Sequence, residues 1–213
     1  MRFTVVIFDL DGVIVSTDEY HYLSWKKIAD REGIVFNRDI NNRLRGVSRM
    51  ESLAIILEKA SREYSANEKE VLAATKNALY REALTELTEQ DLLPGIKETI
   101  SELKKRYIKI AIGSSSKNTA LILKQVGLAH EFDAVVDGND IKNSKPDPEV
   151  FLLAAARMGA APEQCLVVED ADSGVDAAIR AGMKVAGVGQ AAANSKASFA
   201  LGSVKDILAF VGC

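Results

Sequence analysis

Cysteine is scarce in this 213-residue chain: there are two, Cys165 and Cys213. The first opens an apolar run and the second is the last residue, which argues against a disulfide framework and points to a reduced, cytoplasmic compartment. Long apolar stretches are missing as well. No segment reaches the roughly 18 apolar residues of a membrane helix. The N-terminal MRFTVVIFDLDG carries charge where a secretory leader would be apolar, so no membrane partner is expected. Nor does positive charge dominate: 27 Lys and Arg stand against 30 Asp and Glu, a net charge of −3. Without a basic, aromatic-laced patch, nucleic acid is not an expected partner either. A small anionic ligand would need local positive groups, which the motifs must supply.

Hydrophobic residues make up 47% of the chain, enough for one substantial core and a smaller second one. Five short runs rich in Val and Ile read as strands: Thr4 to Phe8, Lys109 to Ile112, Ala134 to Val136, Leu166 to Val168 and Lys184 to Val188. They are unbroken rather than alternating, which predicts a parallel sheet covered on both faces. Helical patterns separate them, at Gly95 to Arg106, Asn118 to Val126, Pro148 to Met158 and Ser173 to Ala181; Gly182 stops the last of these. The fold class is therefore α/β, a doubly wound parallel sheet.

Residues 17–89 break the rhythm. They hold no strand pattern and at least three helical ones, including Glu68 to Leu87, and Ser48 with Glu51 forms a capping box before LAIIL. This predicts a small all-α cap domain inserted into a core domain made of residues 1–16 and 90–213. The tail beyond Gly189 is weakly patterned, with a short strand near Ser198 to Leu201 and a last helix.

Chemistry concentrates at four places. Asp9-Leu-Asp11-Gly12 follows the first strand, and residues two apart on extended chain point the same way. Two adjacent carboxylates repel unless a cation or a proton is present. One can then attack phosphorus while the other moves a proton; a plain turn after a strand would use the same residues. The second strand runs into Ser114-Ser-Ser-Lys-Asn118, hydroxyls and an ammonium at a helix start, which suits phosphate as well as simple capping. Lys145 precedes a proline-led helix start. Glu169-Asp170 ends another buried strand, where acids are costly unless met by positive charge, and oxygen ligands of this kind suit Mg²⁺. All four lie at carboxyl ends of strands, where doubly wound sheets bind ligands.

In this order the four resemble the signature motifs of the haloacid dehalogenase superfamily, over nearly the whole chain to Gly189. Within it, the matching segments FDLDGVI, Glu19-Tyr-His21 with Trp25, Arg45-Gly-Val-Ser-Arg49, Lys76-Asn77, LLPGI and SKPDPEVF are similar to the β-phosphoglucomutase family. That resemblance implies Asp9 as nucleophile, Asp11 as general acid/base, and Ser114 and Lys145 as holders of the transferring phosphoryl group. Mg²⁺ would be bound by Asp9, the Asp11 carbonyl, Glu169 and Asp170. Substrate would be met by His21, Trp25, Arg45, Gly46, Val47, Ser48, Arg49 and Lys76 from the cap, and by Ser116, Lys117 and Asn118 from the core. Arg49 and the last three would hold the non-reacting phosphate. Trp25 also suits plain packing, and His21 would tie cap closure to Asp11. Two departures are Ser16, where the family has Asp, and Arg45, where Lys is common. The implied activity interconverts β-glucose 1-phosphate and glucose 6-phosphate, primed by glucose 1,6-bisphosphate or another phosphate donor and carried out by a monomer on small sugar phosphates. A sugar-phosphate phosphatase on the same scaffold is the alternative; a catalytically dead sensor would not need the intact acids.

Overall fold

Val5 and Ile7 face one side of the sheet and Val6 and Phe8 the other, and all four are buried, so the first strand must be apolar throughout. The computed structural model describes residues 3–45 and 47–212, so Gly46 and Cys213 lie outside the described residues. The strands are β1 (Val5–Phe8), β2 (Lys109–Gly113), β3 (Ala134–Val136), β4 (Cys165–Glu169), β5 (Lys184–Gly187) and β6 (Phe199–Ala200), all parallel, in the order β3-β2-β1-β4-β5-β6. In register, Phe8 lies beside Ile112 and Val168. Asp9, Ser114 and Glu169 therefore leave the sheet at one edge, next to β1, where the chain winds away on either side.

The helices are α1 (Asp18–Arg31), α2 (Arg38–Asn42), α3 (Arg49–Leu57), α4 (Ala66–Ala83), α5 (Ile96–Lys105), α6 (Thr119–Gln125), α7 (Glu149–Met158) and α8 (Asp172–Arg180). One apolar layer joins Val6, Phe8, Ile110, Ile112, Leu166 and Val168 to Ile96, Ile100 and Leu103 of α5 and Ile122 of α6. The other joins Val5, Ile7, Ala111 and Val167 to Phe151 and Ala154 of α7 and Val175 of α8. Helices α1 to α4 pack around a third cluster of their own, with Trp25, Ile28, Phe36, Leu53, Ile56 and Leu72 at its centre. They form a helical cap inserted after β1. The two connecting segments run side by side: Val15 bridges to Leu92, and Leu93 N–H donates to the Ile14 carbonyl at 2.9 Å.

Differences from the predicted elements are local. Helix α4 begins at Ala66, two residues before Glu68, because Ser65 and Glu68 form a capping box the pattern did not reveal. It ends at Ala83, and Leu84–Glu86 is a 3₁₀ turn. The last helix of the tail is a 3₁₀ helix, spanning Val204–Ala209. Gly182 takes the left-handed conformation, φ 76°, that stops α8. Among the described residues no helix is long and apolar enough to cross a membrane.

Candidate active site

A cavity of about 980 Å³ lies between the sheet edge and the cap, lined from both sides. On the core side Lys145 is its anchor. The loop before α7 carries its Nζ to 2.5 Å from Asp9 Oδ1 and 2.6 Å from Glu169 Oε1, and the lysine is almost fully buried. Glu169 Oε2 accepts from the Asp170 and Ala171 amides at 2.8 and 2.9 Å, so the whole carboxylate is fixed. Asp9, Glu169 and Asp170 each present an oxygen, and these oxygens lie within 4.8 Å of one another. Asp11 accepts a hydrogen bond from Thr17 Oγ1, which accepts in turn from Tyr80 OH of α4 at 3.0 Å.

Electrostatics explain the strain in this arrangement. Burial pushes the Asp9, Asp11 and Glu169 carboxyls upward, against the pull of Lys145. Asp170 is pushed up to about 8 by burial and then by the neighbouring Glu169 and Asp9. Burial lowers Lys145, but Asp9 and Glu169 overcome this and hold it protonated. Four carboxylates around one ammonium leave an excess of negative charge that a divalent cation would offset. The all-oxygen donor set fits a hard cation, with Asp9, Glu169 and Asp170 the residues able to hold it.

Two glycines make room for these acids: Gly12, read in the sequence only as part of the first motif, and Gly174, which was missed. A methyl group on Gly174, in the first turn of α8, would lie 1.8 Å from Glu169 Oε1. One on Gly12 would lie 2.1 Å from Asp170 Oδ2, and Gly12 also has φ +81°. Gly12 could be suspected from its turn position, whereas Gly174 gives no signal beyond being a glycine inside a helix pattern. Thr17 and Tyr80 were missed too, because their link to Asp11 crosses from linker to cap.

The loop after β2 contributes hydroxyls that organise backbone. Ser114 Oγ accepts from the Ser116 amide at 3.1 Å, and Ser116 Oγ accepts from the Asn118 amide at 3.2 Å. Ser114 and Asn118 are buried; Lys117 is exposed and lines the cavity.

The cap wall carries positive charge. Lys76 Nζ lies 2.7 Å from His21 Nδ1, 4.3 Å from the centre of the Tyr80 ring and 5.1 Å from that of Trp25. Burial, then Arg49, lowers Lys76 to about 7; burial and Lys76 drive His21 well below its usual range. Burial also lowers Arg49, the first residue of α3. Trp25 is buried in the cap cluster and lines the cavity as well. Arg45 pairs with Asp18 at 2.8 Å, and its Nε is buried without a partner. Val47 lines the cavity, while the Ser48 hydroxyl is engaged in capping α3, accepting from the Glu51 amide. Gly46 lies outside the described residues.

The sequence profile of the haloacid dehalogenase-like hydrolases matches residues 3–182. The β-phosphoglucomutase of Bacillus subtilis is 46% identical over 187 residues, which cover 87% of this chain and 83% of that one. A fructose-1-phosphate phosphatase of Escherichia coli is 34% identical over 182 residues, 85% of this chain and 94% of that one. The solved structure of a β-phosphoglucomutase from Clostridium difficile superposes with a TM-score of 0.91 at 39% identity, covering 97% of this chain and 93% of that one. These relationships imply a divalent metal, and Asp9, Glu169 and Asp170 form a cluster able to hold one. The chain belongs to the haloacid dehalogenase-like hydrolase family.

Proposed function

We propose that this chain is a Mg²⁺-dependent β-phosphoglucomutase, interconverting β-D-glucose 1-phosphate and D-glucose 6-phosphate through a phosphorylated Asp9. The observation that carries the reading is one cavity with an acidic wall around Lys145 facing a basic wall at Arg49 and Lys76. The likeness to the Bacillus subtilis β-phosphoglucomutase supports the same substrate pair.

In the forward direction the 6-hydroxyl oxygen of β-glucose 1-phosphate attacks the phosphorus of phospho-Asp9. The bond from phosphorus to the Asp9 oxygen breaks, and Asp11 takes the hydroxyl proton. Glucose 1,6-bisphosphate is formed, the same compound that can prime Asp9. After it turns over in the cavity, Asp9 attacks the 1-phosphate and Asp11 returns its proton to the departing O1, leaving glucose 6-phosphate. Burial keeps the Asp11 carboxyl raised, as a proton carrier needs. Thr17 and Tyr80 hold that carboxyl in place. Lys145 and Ser114 would orient the transferring phosphoryl group. Arg49, Ser116, Lys117 and Asn118 would hold the other phosphate, with Arg45, Val47 and Lys76 around the sugar. Mg²⁺, held by Asp9, Asp170, the Asp11 carbonyl and Glu169, would neutralise charge on the phosphoryl oxygens.

Residues 17–89 would act as the cap that closes on the core formed by 1–16 and 90–213. Closure excludes water from an acyl phosphate and aligns the sugar, an alignment that can contribute up to about 7–11 kcal/mol when a step becomes intramolecular. The deciding experiment couples glucose 6-phosphate formation to NADPH, starting from β-glucose 1-phosphate with Mg²⁺ and trace bisphosphate. Steady glucose 6-phosphate is the expected product. The similarity to a fructose-1-phosphate phosphatase favours the second reading, hydrolysis of sugar phosphates; stoichiometric inorganic phosphate without glucose 6-phosphate would establish that instead.

A further inference from the structure

Asn118 stands at the N-cap of α6, yet its side chain makes no bond to its own helix. An asparagine there ordinarily accepts from an amide two or three residues on. Here the amide group is diverted into the cap. Asn118 Oδ1 accepts from Arg81 Nη1 at 3.1 Å, and Asn118 Nδ2 donates to Asn77 Oδ1 at 2.9 Å. Asn77 and Arg81 are four residues apart on α4, hence on one stripe of that helix. Because a guanidinium can only donate, Arg81 also dictates which way the Asn118 amide faces. The grip extends into the loop behind it through the Asn118–Ser116–Ser114 chain of amide-to-hydroxyl bonds.

We propose that Asn77 and Arg81 are positioning residues that latch α4 onto the 114–118 loop through Asn118, coupling cap closure to the seating of the non-reacting phosphate. This rests on the phosphotransferase reading above. With the latch formed, the loop is arranged before the sugar phosphate arrives, and the cap cannot swing away without releasing Asn118. With the latch cut, the cap opens more often and water reaches phospho-Asp9. A water oxygen then bonds to phosphorus, the bond to the Asp9 oxygen breaks, a proton passes to Asp11, and inorganic phosphate leaves.

The test uses the full chain with Mg²⁺ and the variants Arg81→Ala and Arg81→Lys. Arg81 is exposed and belongs to none of the apolar clusters, so its replacement leaves the fold intact. Hydrogen exchange at amides 116–120 of the unliganded protein reads the latch itself; partition of labelled phospho-Asp9 between β-glucose 1-phosphate and water reads its consequence. In Arg81→Ala both should rise about tenfold, the effect of losing a hydrogen bond from a charged donor. Labelling of Asp9 by acetyl phosphate should not change. Arg81→Lys, which keeps a donor, should recover part of both, and Arg81→Ala should add nothing in an Asn118→Ala background. Parental exchange and partition in Arg81→Ala would overturn the latch alone. A parent protein that releases only inorganic phosphate would overturn the mutase reading and the coupling with it.

Discussion

The two walls of the cavity are opposite in charge and differ in how that charge is tolerated. On the core wall, buried acids crowd around Lys145, and ion pairs and backbone amides fix them. On the cap wall, Arg49 and Lys76 belong to no ion pair among the described residues, and Lys76 rests on aromatic rings and His21 instead. Neither wall is electrostatically complete alone. The core wall carries more acid than Lys145 offsets, and Arg49 and Lys76 of the cap wall have no acid paired with them among the described residues, so a cation suits the first and a phosphate the second. On the proposed reading the core acids would make and break the bond to phosphorus, while Arg49 of the cap would share the non-reacting phosphate with Ser116, Lys117 and Asn118 of the core.

The comparison breaks most visibly at Asp9 and Arg49. Asp9→Asn should leave no label from acetyl phosphate and no mutase turnover, because a neutral amide replaces the nucleophilic carboxylate. Arg49→Ala should still be labelled, yet its KM for β-glucose 1-phosphate should rise about 10- to 100-fold, the cost of charge-assisted bonds to phosphate. If Arg49→Ala were not labelled, the division of labour between the walls would be wrong.

A subtler break lies under the core wall, at Gly174→Ala. The added methyl would overlap Glu169 Oε1, so Glu169 must shift and loosen its contact with Lys145. Loss of such support typically costs about 10–100-fold in metal affinity or activity. Titration of the variant with Mg²⁺ by thermal shift should therefore reach its midpoint at correspondingly higher metal. An unchanged midpoint would mean Glu169 does not support the ion.

Lys76 sharpens the contrast on the other wall. Its ordinary value of 10.5 falls to about 7 in the folded chain, where it faces His21, Arg49, Asp11 and Tyr80. Between pH 7 and 10.5 the unfolded chain therefore binds more protons at this site, so this contribution makes stability rise with pH across that window. Below pH 7 the buried ammonium is a full penalty. Lys76→Met should be more stable than the parent at pH 7, by a margin that shrinks toward pH 10, while its sugar-phosphate turnover falls. Chemical denaturation at several pH values checks the slope; a variant less stable than the parent at pH 7 would sink this account.

The core was legible in the sequence and the cap only in part, for a physical reason. Asp9, Ser114, Lys145 and Glu169 follow strands whose apolar runs are unmistakable, and parallel register then brings them together without further information. The cap's work depends on contacts between helices, such as Lys76 with His21 55 positions away, which periodicity does not encode. Thr17, Tyr80 and Arg81 escape for the same reason, since each acts across the seam between the two regions. Gly174 was missed because what matters there is the space a side chain would take, and a sequence names only what is present.

The smallest expected effect separates structure from position within the cap itself. Ser48 and Ser65 open α3 and α4 with matching capping boxes: each hydroxyl accepts at 3.3 Å, and each serine amide donates to its glutamate at 2.8 Å. Ser48→Ala and Ser65→Ala should each cost about 1 kcal/mol, a few degrees in Tm for a chain of this size. Only the first box sits beside Arg49, whose backbone it holds at the start of α3. A modest rise in KM for β-glucose 1-phosphate should thus accompany Ser48→Ala and not Ser65→Ala. Equal KM values in the two variants would mean that the box stabilises α3 without setting where Arg49 lies.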